Sequence, residues 1–197
     1  LFIVLWLYAR KPRATGQMTG ESLRVAWVDQ GVRLDKGTLR AHLQDDLIVL
    51  DELAFAGQPR IRPDEKRAAA AIKGDEPGSL NANGQLRLRD FSGVIQVAAS
   101  QLPILQRPDR WVVASGGANI ETSATHVQFN GAVAAAAGYV DFSRSDLPSP
   151  SSDVLVVRSR EPVAVHAPRV TFGFDLGIDL GDAFYLRGSG LDTRASG

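Results

Sequence analysis

The serine best placed for nucleophilic catalysis is Ser115, which lies among small residues in the segment Ala-Ser-Gly-Gly at 114–117. A hydrolase serine sits on a strained strand-to-helix turn that requires glycine two residues before it. Val113 occupies that position. The sequence therefore favours an ordinary turn over a nucleophile at Ser115.

A second glycine-rich segment, Gly188-Ser189-Gly190, begins like the loop that binds a dinucleotide pyrophosphate. The third glycine of that motif would fall where the chain has Thr193, and no helical pattern follows. We interpret this segment as the glycine-rich end of a strand, without a cofactor.

Neither the histidines nor the aspartates show the spacing of a metal site. The histidines are far apart in the sequence, and none has a His, Asp or Glu at ligand spacing: His42, His126 and His166. Asp175, Asp179 and Asp182 follow one another closely, but in a strand the first two are about 13 Å apart. Calcium needs its oxygen ligands at about 2.3–2.6 Å from one point. We predict no catalytic residue, no bound metal and no cofactor.

The composition narrows the class of protein further. The chain has 197 residues, of which 44% are hydrophobic, so it can bury a core. Lys plus Arg and Asp plus Glu both number 22, and the net charge of zero argues against a nucleic-acid partner. The absence of cysteine excludes disulfides and thiolate chemistry.

The strongest structural signal is period-two alternation over residues 170–180. Large apolar residues alternate with small or polar ones, and a strand sends alternate side chains to opposite faces. The apolar set is Val170, Phe172, Phe174, Leu176, Ile178 and Leu180, continued after a turn by Phe184 and Leu186. Shorter alternating runs surround residues 23–27, 39–43, 86–89 and 127–135.

Turn-forming residues separate these runs and complete an all-β pattern. We place turns at 29–31, 35–37, 83–84, 92–93, 116–117, 130–131 and 181–182. Together they predict an antiparallel meander. Residues 63–74 fit a short helix or a loop, and the proline-containing segments 100–109 and 146–153 are expected to be irregular.

The alternation leaves two interpretations of the apolar face open. It is the core of a closed β-sandwich, which the alternation alone favours, or an open groove for apolar ligands.

At the N-terminus, the apolar run of residues 1–8 is shorter than the roughly 20 residues of a spanning helix. Charged residues follow the run, whereas a signal peptide has them before it. We favour a buried strand there over the end of a membrane anchor.

The order of the glycine-rich motifs adds a resemblance to a known family. Residues 181–194, G-D-A-F-Y-L-R-G-S-G-L-D-T-R, resemble the signature D-L-G-x-x-F-x-L-x-G-x-G-L-D of TamB-type proteins. Upstream, the segments 78–84, 107–110 and 131–154 are similar to that family in the same order. The resemblance covers residues 78–194, and residues 23–62 match more loosely.

The resemblance implies a subunit of a translocation and assembly module in the Gram-negative envelope. The expected fold is an elongated, curled antiparallel sheet that forms a trough with an apolar interior and at most one or two short helices. Residues 21–197 form a domain that continues beyond the chain, after an N-terminal segment of residues 1–20. The eight apolar residues from Val170 to Leu186 then line a lipid groove.

The family also implies a location and partners. Its members are periplasmic proteins held at the inner membrane by an N-terminal helix, and they reach an Omp85-type, TamA-like barrel of the outer membrane. Their roles are phospholipid transport and the assembly of autotransporters and other outer-membrane proteins. The expected ligands are phospholipid acyl chains and nascent outer-membrane proteins, with no enzymatic activity.

Overall fold

The computed structural model describes residues 15–72, 76–143 and 170–197. Strands make up 71% of these residues, which confirms the all-β prediction. The strands are β1 (Thr15–Trp27), β2 (Val32–Gln44), β3 (Leu47–Gly57), β4 (Gly78–Arg87), β5 (Gly93–Gln106), β6 (Arg110–Thr122), β7 (His126–Asp141), β8 (Thr171–Asp179), β9 (Phe184–Gly188) and β10 (Leu191–Ala195). A 3-10 turn, Val28–Gln30, follows β1, and one helix, α1 (Lys66–Ala71), lies between β3 and β4.

All ten strands belong to one open sheet. Strands β1 to β7 pair consecutively and antiparallel, and β10 pairs antiparallel with β9. Both β8 and β9 run parallel to β7, with β8 beside its first part and β9 beside its last four residues. The purely antiparallel meander is therefore wrong at these two pairs. A tight turn cannot join parallel strands, and here β7 ends at Asp141 and β8 begins at Thr171.

Four of the turn positions chosen from the sequence lie inside strands and are corrected by the structure: 35–37, 83–84, 116–117 and 130–131. At Gly116 and Gly131, glycine is required because the neighbouring strand leaves no room for a Cβ atom. A Cβ atom at Gly116 would lie 2.2 Å from the Ala132 carbonyl oxygen, and one at Gly131 would lie 2.3 Å from that of Gly117. The turns at 29–31 and 181–182 are confirmed, with Gly31 and Gly181 both in the left-handed region.

Four of the irregularities in strand pairing lie along one line across the sheet. Ser22, Lys36 and Gln101 have positive φ values of 55°, 51° and 48°, and each lies where the strand register shifts. The β6–β7 pair has its own shift between Val113 and Ala114. A bulge inserts an extra residue and bends its strand, so a row of bulges folds the sheet along a line. The curled sheet expected from the family is confirmed.

The bend line divides the sheet into two walls. The long wall consists of residues 15–20, 38–44, 47–55, 80–87, 93–99, 116–122 and 126–135 together with β8. The short wall consists of residues 23–27, 32–35, 102–106, 110–114 and 137–141 together with β9 and β10.

The segment 100–109, expected to be irregular, is also corrected. Strand β5 runs through it to Gln106, and the register shifts between Ala99 and Leu102 and again between Pro103 and Leu105. Proline cannot donate to a strand ladder and is tolerated at bulges and edges. The second shift places Pro103 at such a bulge, while Pro108 falls in the β5–β6 turn.

Two clusters of buried side chains hold the short wall. On its outer side, Ala68 of α1 packs with Trp111, Val113, Ala137 and Tyr139. The other cluster lies in the inner corner of the bend: Val112, Ala114, Ala135 and Phe184, with Leu105, Leu180 and Leu186 packed against them. Of the segment 63–74, the structure describes residues 63–72 and shows in them a helix of six residues, which Ala68 anchors to the sheet.

The N-terminus of α1 is tied to β9 by a buried carboxylate. Glu65 is 6% exposed and accepts hydrogen bonds from the Arg67 backbone N–H at 2.9 Å and from Arg67 Nε at 2.8 Å. Arg187 of β9 donates to its second oxygen at 3.4 Å. The hydrogen bond from the Arg67 side chain is the main reason that the pKa of Glu65 falls to about 2.

This carboxylate makes folding stability depend on acid pH. The pKa of Glu65 rises to about 4.5 on unfolding, so its contribution is fully present above pH 4.5 and disappears as the pH falls towards 2. We expect Glu65→Gln to lower the free energy of unfolding by about 2 kcal/mol at pH 6 and by much less at pH 2.5. Urea unfolding at both pH values measures this. Glu21→Gln, on the exposed β1, serves as control, and an equal loss at both pH values would contradict the assignment.

The inner corner generates a prediction about packing. A Cβ atom at Gly138 would lie 2.3 Å from the ring of Phe184, so Gly138→Ala forces the ring out of its place. We expect a loss of about 1–3 kcal/mol in urea unfolding. Gly16→Ala is the matched control, because nothing lies within 4 Å of its Cβ position. Phe184→Leu should restore part of the loss in the double variant, and a Gly138→Ala protein as stable as the control would refute this packing.

Candidate functional site

The two faces of the long wall differ in chemistry because every strand alternates in step with its neighbours. Phe174 of β8 is in register with Phe129, which faces Ile120, which in turn faces Ile95. The next residues along each strand, Asp175 among them, point to the opposite side. We call the first side the inner face and the second the outer face.

The inner face is apolar from β2 to β8, and its register positions on the described long wall include no charged residue. Its large members are Leu39, Leu43, Ile48, Leu50, Leu53, Phe55, Leu80, Leu86, Ile95, Val97, Ile120, Val127, Phe129, Val133, Phe172, Phe174, Leu176 and Ile178. An apolar surface this extensive is unusual on a soluble monomer and marks a site of interaction.

The inner face is also the more shielded of the two. Ala99 and Ala118 on the inner face are half-buried, whereas Ala98 and Ala132 on the outer face are exposed. These residues have the same side chain, so the difference comes from their surroundings. Large apolar neighbours on a curled sheet screen the inner face, as expected of the interior of a trough.

The eight residues predicted to line a groove fall into two groups. The five up to Ile178 are exposed and belong to β8 or, for Val170, directly precede it. Phe174 is 66% exposed and stacks on Phe129, with ring centroids 4.9 Å apart. Leu180, Phe184 and Leu186 instead pack in the inner corner, where Phe184 is buried.

Sequence reasoning missed the inner-face residues of β3. Leu50 and Leu53 are three residues apart, yet both lie on the inner face, because the register shifts between them. A bulge thus hides the alternation of this strand. The unbroken apolar run at residues 47–50 was the available signal, since a strand can be recognised from such a run as well as from alternation.

The residues considered for catalysis or metal binding serve as structural groups and stay apart. Ser115 Oγ accepts a hydrogen bond from the Gln101 backbone N–H at 2.8 Å, beside the bulge. The segment 188–190 forms the β9–β10 turn. His42 pairs with Asp51 at 2.8 Å, and His126 contacts the Thr171 hydroxyl at 2.9 Å.

The remaining candidates behave in the same way. Asp179 accepts a hydrogen bond from the Gly181 backbone N–H at 2.7 Å, which stabilises the turn after β8. His166, the apolar run 1–8 and the loop predicted at 146–153 lie outside the described residues. Across residues 15–72, 76–143 and 170–197, no three His, Asp or Glu residues converge on a point where a metal ion would fit.

No helix in the described part of the chain has the length and apolar character needed to cross a membrane. The boundary between residues 20 and 21 stays a prediction, and β1 runs across it from Thr15 to Trp27. The site offered by this domain is therefore the uncharged inner face, with its most exposed part at β8.

Comparison with known proteins agrees with this geometry. A 23-residue stretch, 12% of the chain, is 78% identical to the phosphatidylglycerol–prolipoprotein diacylglyceryl transferase of Methylibium petroleiphilum. The match spans only 9% of the length of that protein, so it shows no common family. No solved structure matches the chain. The model of the TamB C-terminal domain matches residues 68–197, which include β4 to β10 and most of the inner face, and the chain therefore belongs to the TamB family.

Proposed function

We propose that this domain shields lipid acyl chains on its inner face as phospholipid passes between the membranes of the Gram-negative envelope. The observation that supports this is the continuous, uncharged inner face, which reaches an exposed end at Phe172 and Phe174. An acyl chain needs no directional hydrogen bonds, and its burial is favourable by about 0.8 kcal/mol per methylene group. Family membership supports a role in membrane-associated assembly or lipid transport.

The dimensions suit a conduit better than a closed pocket. Neighbouring strands lie about 4.8 Å apart, so the face extends roughly 34 Å from β1 to β8. The hydrocarbon core of a bilayer is about 30 Å thick and holds two acyl chains end to end, so one chain needs about 15 Å. A chain lying across the strands therefore covers less than half of the face and can move along it.

The proposed role also requires a cellular location and a partner protein. The domain works in the periplasm, in a protein held at the inner membrane by an N-terminal helix, and delivers phospholipid to an Omp85-type, TamA-like barrel of the outer membrane. It requires neither a cofactor nor catalysis, since moving an acyl chain along an apolar surface breaks no bond. The short wall, closed by the corner cluster at Phe184, gives this path a packed side.

Photo-crosslinking in cells tests which face contacts lipid. A benzoylphenylalanine at position 174 should capture lipid, while one at position 175 should not, because neighbouring strand residues point to opposite faces. Mass spectrometry of the crosslinked protein identifies the lipid. Equal capture at the two positions, or capture at neither, contradicts a lipid-lining inner face.

Lipid delivery by two variants, with a charge on the inner or on the outer face, tests the function itself. Phe174→Asp should reduce lipid delivery, because a carboxylate is costly to desolvate beside an acyl chain. Val94→Asp is the matched control: Val94 is exposed on the outer face, so the same charge should leave delivery intact. Circular dichroism of both purified variants shows whether the sheet is retained. Equal defects in two folded variants would contradict the proposal.

A second function is favoured by the edge of the sheet. Strand β8 pairs with β7 on one side, and within the described residues its other edge has no partner strand. Such an edge adds a strand from another chain through backbone hydrogen bonds. It therefore suits the assembly of outer-membrane proteins and autotransporters.

Proline substitutions along β8 distinguish the two functions. Alternate N–H groups of an edge strand point outwards, and proline removes only that donor. At outward positions we expect proline to leave folding and lipid crosslinking intact and to reduce autotransporter assembly. If assembly is unaffected by every folded proline variant between residues 171 and 179, strand addition at this edge is refuted.

A further inference from the structure

A shallow cleft lies on the outer face, opposite the proposed lipid surface. Its volume is about 570 Å³, and Ala98 and Gly117 form much of its floor. Side-chain amides border the floor, and Asp51 and Glu52 lie at one end. This volume falls within the range of about 300–1,000 Å³ that is usual for ligand sites.

The amides of the cleft form one row across four strands. Asn83 of β4 is in register with Gln96, which faces Asn119, which faces Asn130 of β7. Neighbouring members are about 4.8 Å apart, the spacing of the strands. The row therefore repeats one chemical group at regular intervals along the sheet.

These amides are available to a ligand. In the described part of the chain, the side chains of Asn83, Gln96 and Asn119 form no hydrogen bond with another residue, and all three are exposed. Asn130 accepts one bond, from Gln128 at 2.9 Å. A primary amide has two donor hydrogens and an acceptor oxygen, so each free amide can satisfy a donor and an acceptor of a ligand at once.

The charge of the cleft selects the ligand. None of the residues that line it is basic, and its two carboxylates, Asp51 and Glu52, are paired with His42 and Arg40 of β2. Protein surfaces normally carry charged residues on about a quarter to a third of positions, so four neutral amides in succession are distinctive, although Asp175 of β8 continues the row beyond Asn130. A neutral ligand rich in both donors and acceptors fits this surface better than a phosphate or an acidic peptide.

We propose that this cleft binds a neutral glycan chain that carries N-acetyl groups. Hydroxyl and acetamido groups each combine a donor and an acceptor, as the amides of the protein do, and a glycan repeats them along an extended chain. The small side chains of the floor let a sugar ring approach the backbone. Asp51 and Glu52 each have one carboxylate oxygen paired, with His42 and Arg40, and accept hydrogen bonds from hydroxyl groups through the other. Binding here leaves the inner face free.

NMR titration of the ¹⁵N-labelled chain tests the proposal. The probe is the β-1,4-linked tetramer of N-acetylglucosamine, and maltotetraose, which lacks acetamido groups, is the comparison sugar. We expect saturable shifts of the Asn83, Gln96, Asn119 and Asn130 side-chain amides. Binding should be weak, with a Kd on the order of 1 mM, because the cleft is open and no aromatic ring lines it. Maltotetraose should bind at least about tenfold more weakly.

Variants separate the cleft from the rest of the outer face. Gln96→Ala combined with Asn119→Ala should raise the Kd at least about tenfold, since two donor–acceptor groups are lost. Gln44→Ala removes an exposed outer-face amide of β2 outside the cleft and should leave the Kd unchanged. Because all three positions are exposed, the fold is retained, which the backbone spectrum confirms.

The remaining outcomes overturn the proposal. Linear, unsaturable shifts show that the tetramer does not occupy a site. Equal binding of both sugars refutes recognition of the acetamido groups, and equal affinity in the cleft variants places the sugar elsewhere. Lipid crosslinking at position 174 involves the opposite face, so this result and the test of the proposed function are independent.

Discussion

The structure depends on the in-register alternation of apolar and polar residues over eight neighbouring strands. A single strand with this pattern has only a narrow apolar face. When neighbouring strands pair in register, their apolar faces join into one continuous surface. The row from Ile95 through Ile120 and Phe129 to Phe174 shows this addition. A slip of one residue in any pair would send that strand's apolar set to the outer face. The apolar inner face therefore depends on strand register as much as on side-chain type.

The line of bulges turns this surface into a trough. Each bulge shifts the alternation by one residue, so the strand continues with its apolar residues still on the inner side after the bend. In β7, the inner positions are odd up to Ala135 and even from Gly138, which faces Phe184. A sheet that bent without bulges would keep its alternation but would have to strain its backbone at the bend. The backbone cost is instead confined to a few left-handed residues such as Lys36 and Gln101.

The bulges also explain how far sequence reasoning reached. The all-β class, the strand at β8 and the family follow from regular alternation and ordered glycines, because both are local signals. The interruptions at Leu50–Leu53 and at Gln101 break the period of two, so β3 was missed and the second half of β5 was expected to be irregular. Gly116 and Gly131 were interpreted as turn residues. They are in fact required by close contact with a neighbouring strand, and that contact depends on strand register, which cannot be deduced from one segment of sequence.

The parallel pairing of β8 and β9 with β7 has a consequence for the trough. Strand β7 continues across the bend, whereas the chain beside it is divided into β8 and β9 by a break at Gly181. Gly181 has a left-handed conformation and lies close to the Ala135 carbonyl oxygen. The break lets β8 extend the long wall while β9 buries Phe184 in the corner and receives a covering strand, β10. On this side of the sheet the outermost described strand is thus β10 on the short wall and β8 on the long wall. Within the described residues β8 pairs with β7 alone, so, like the terminal strands β1 and β10, it can accept an additional strand without displacing one already paired.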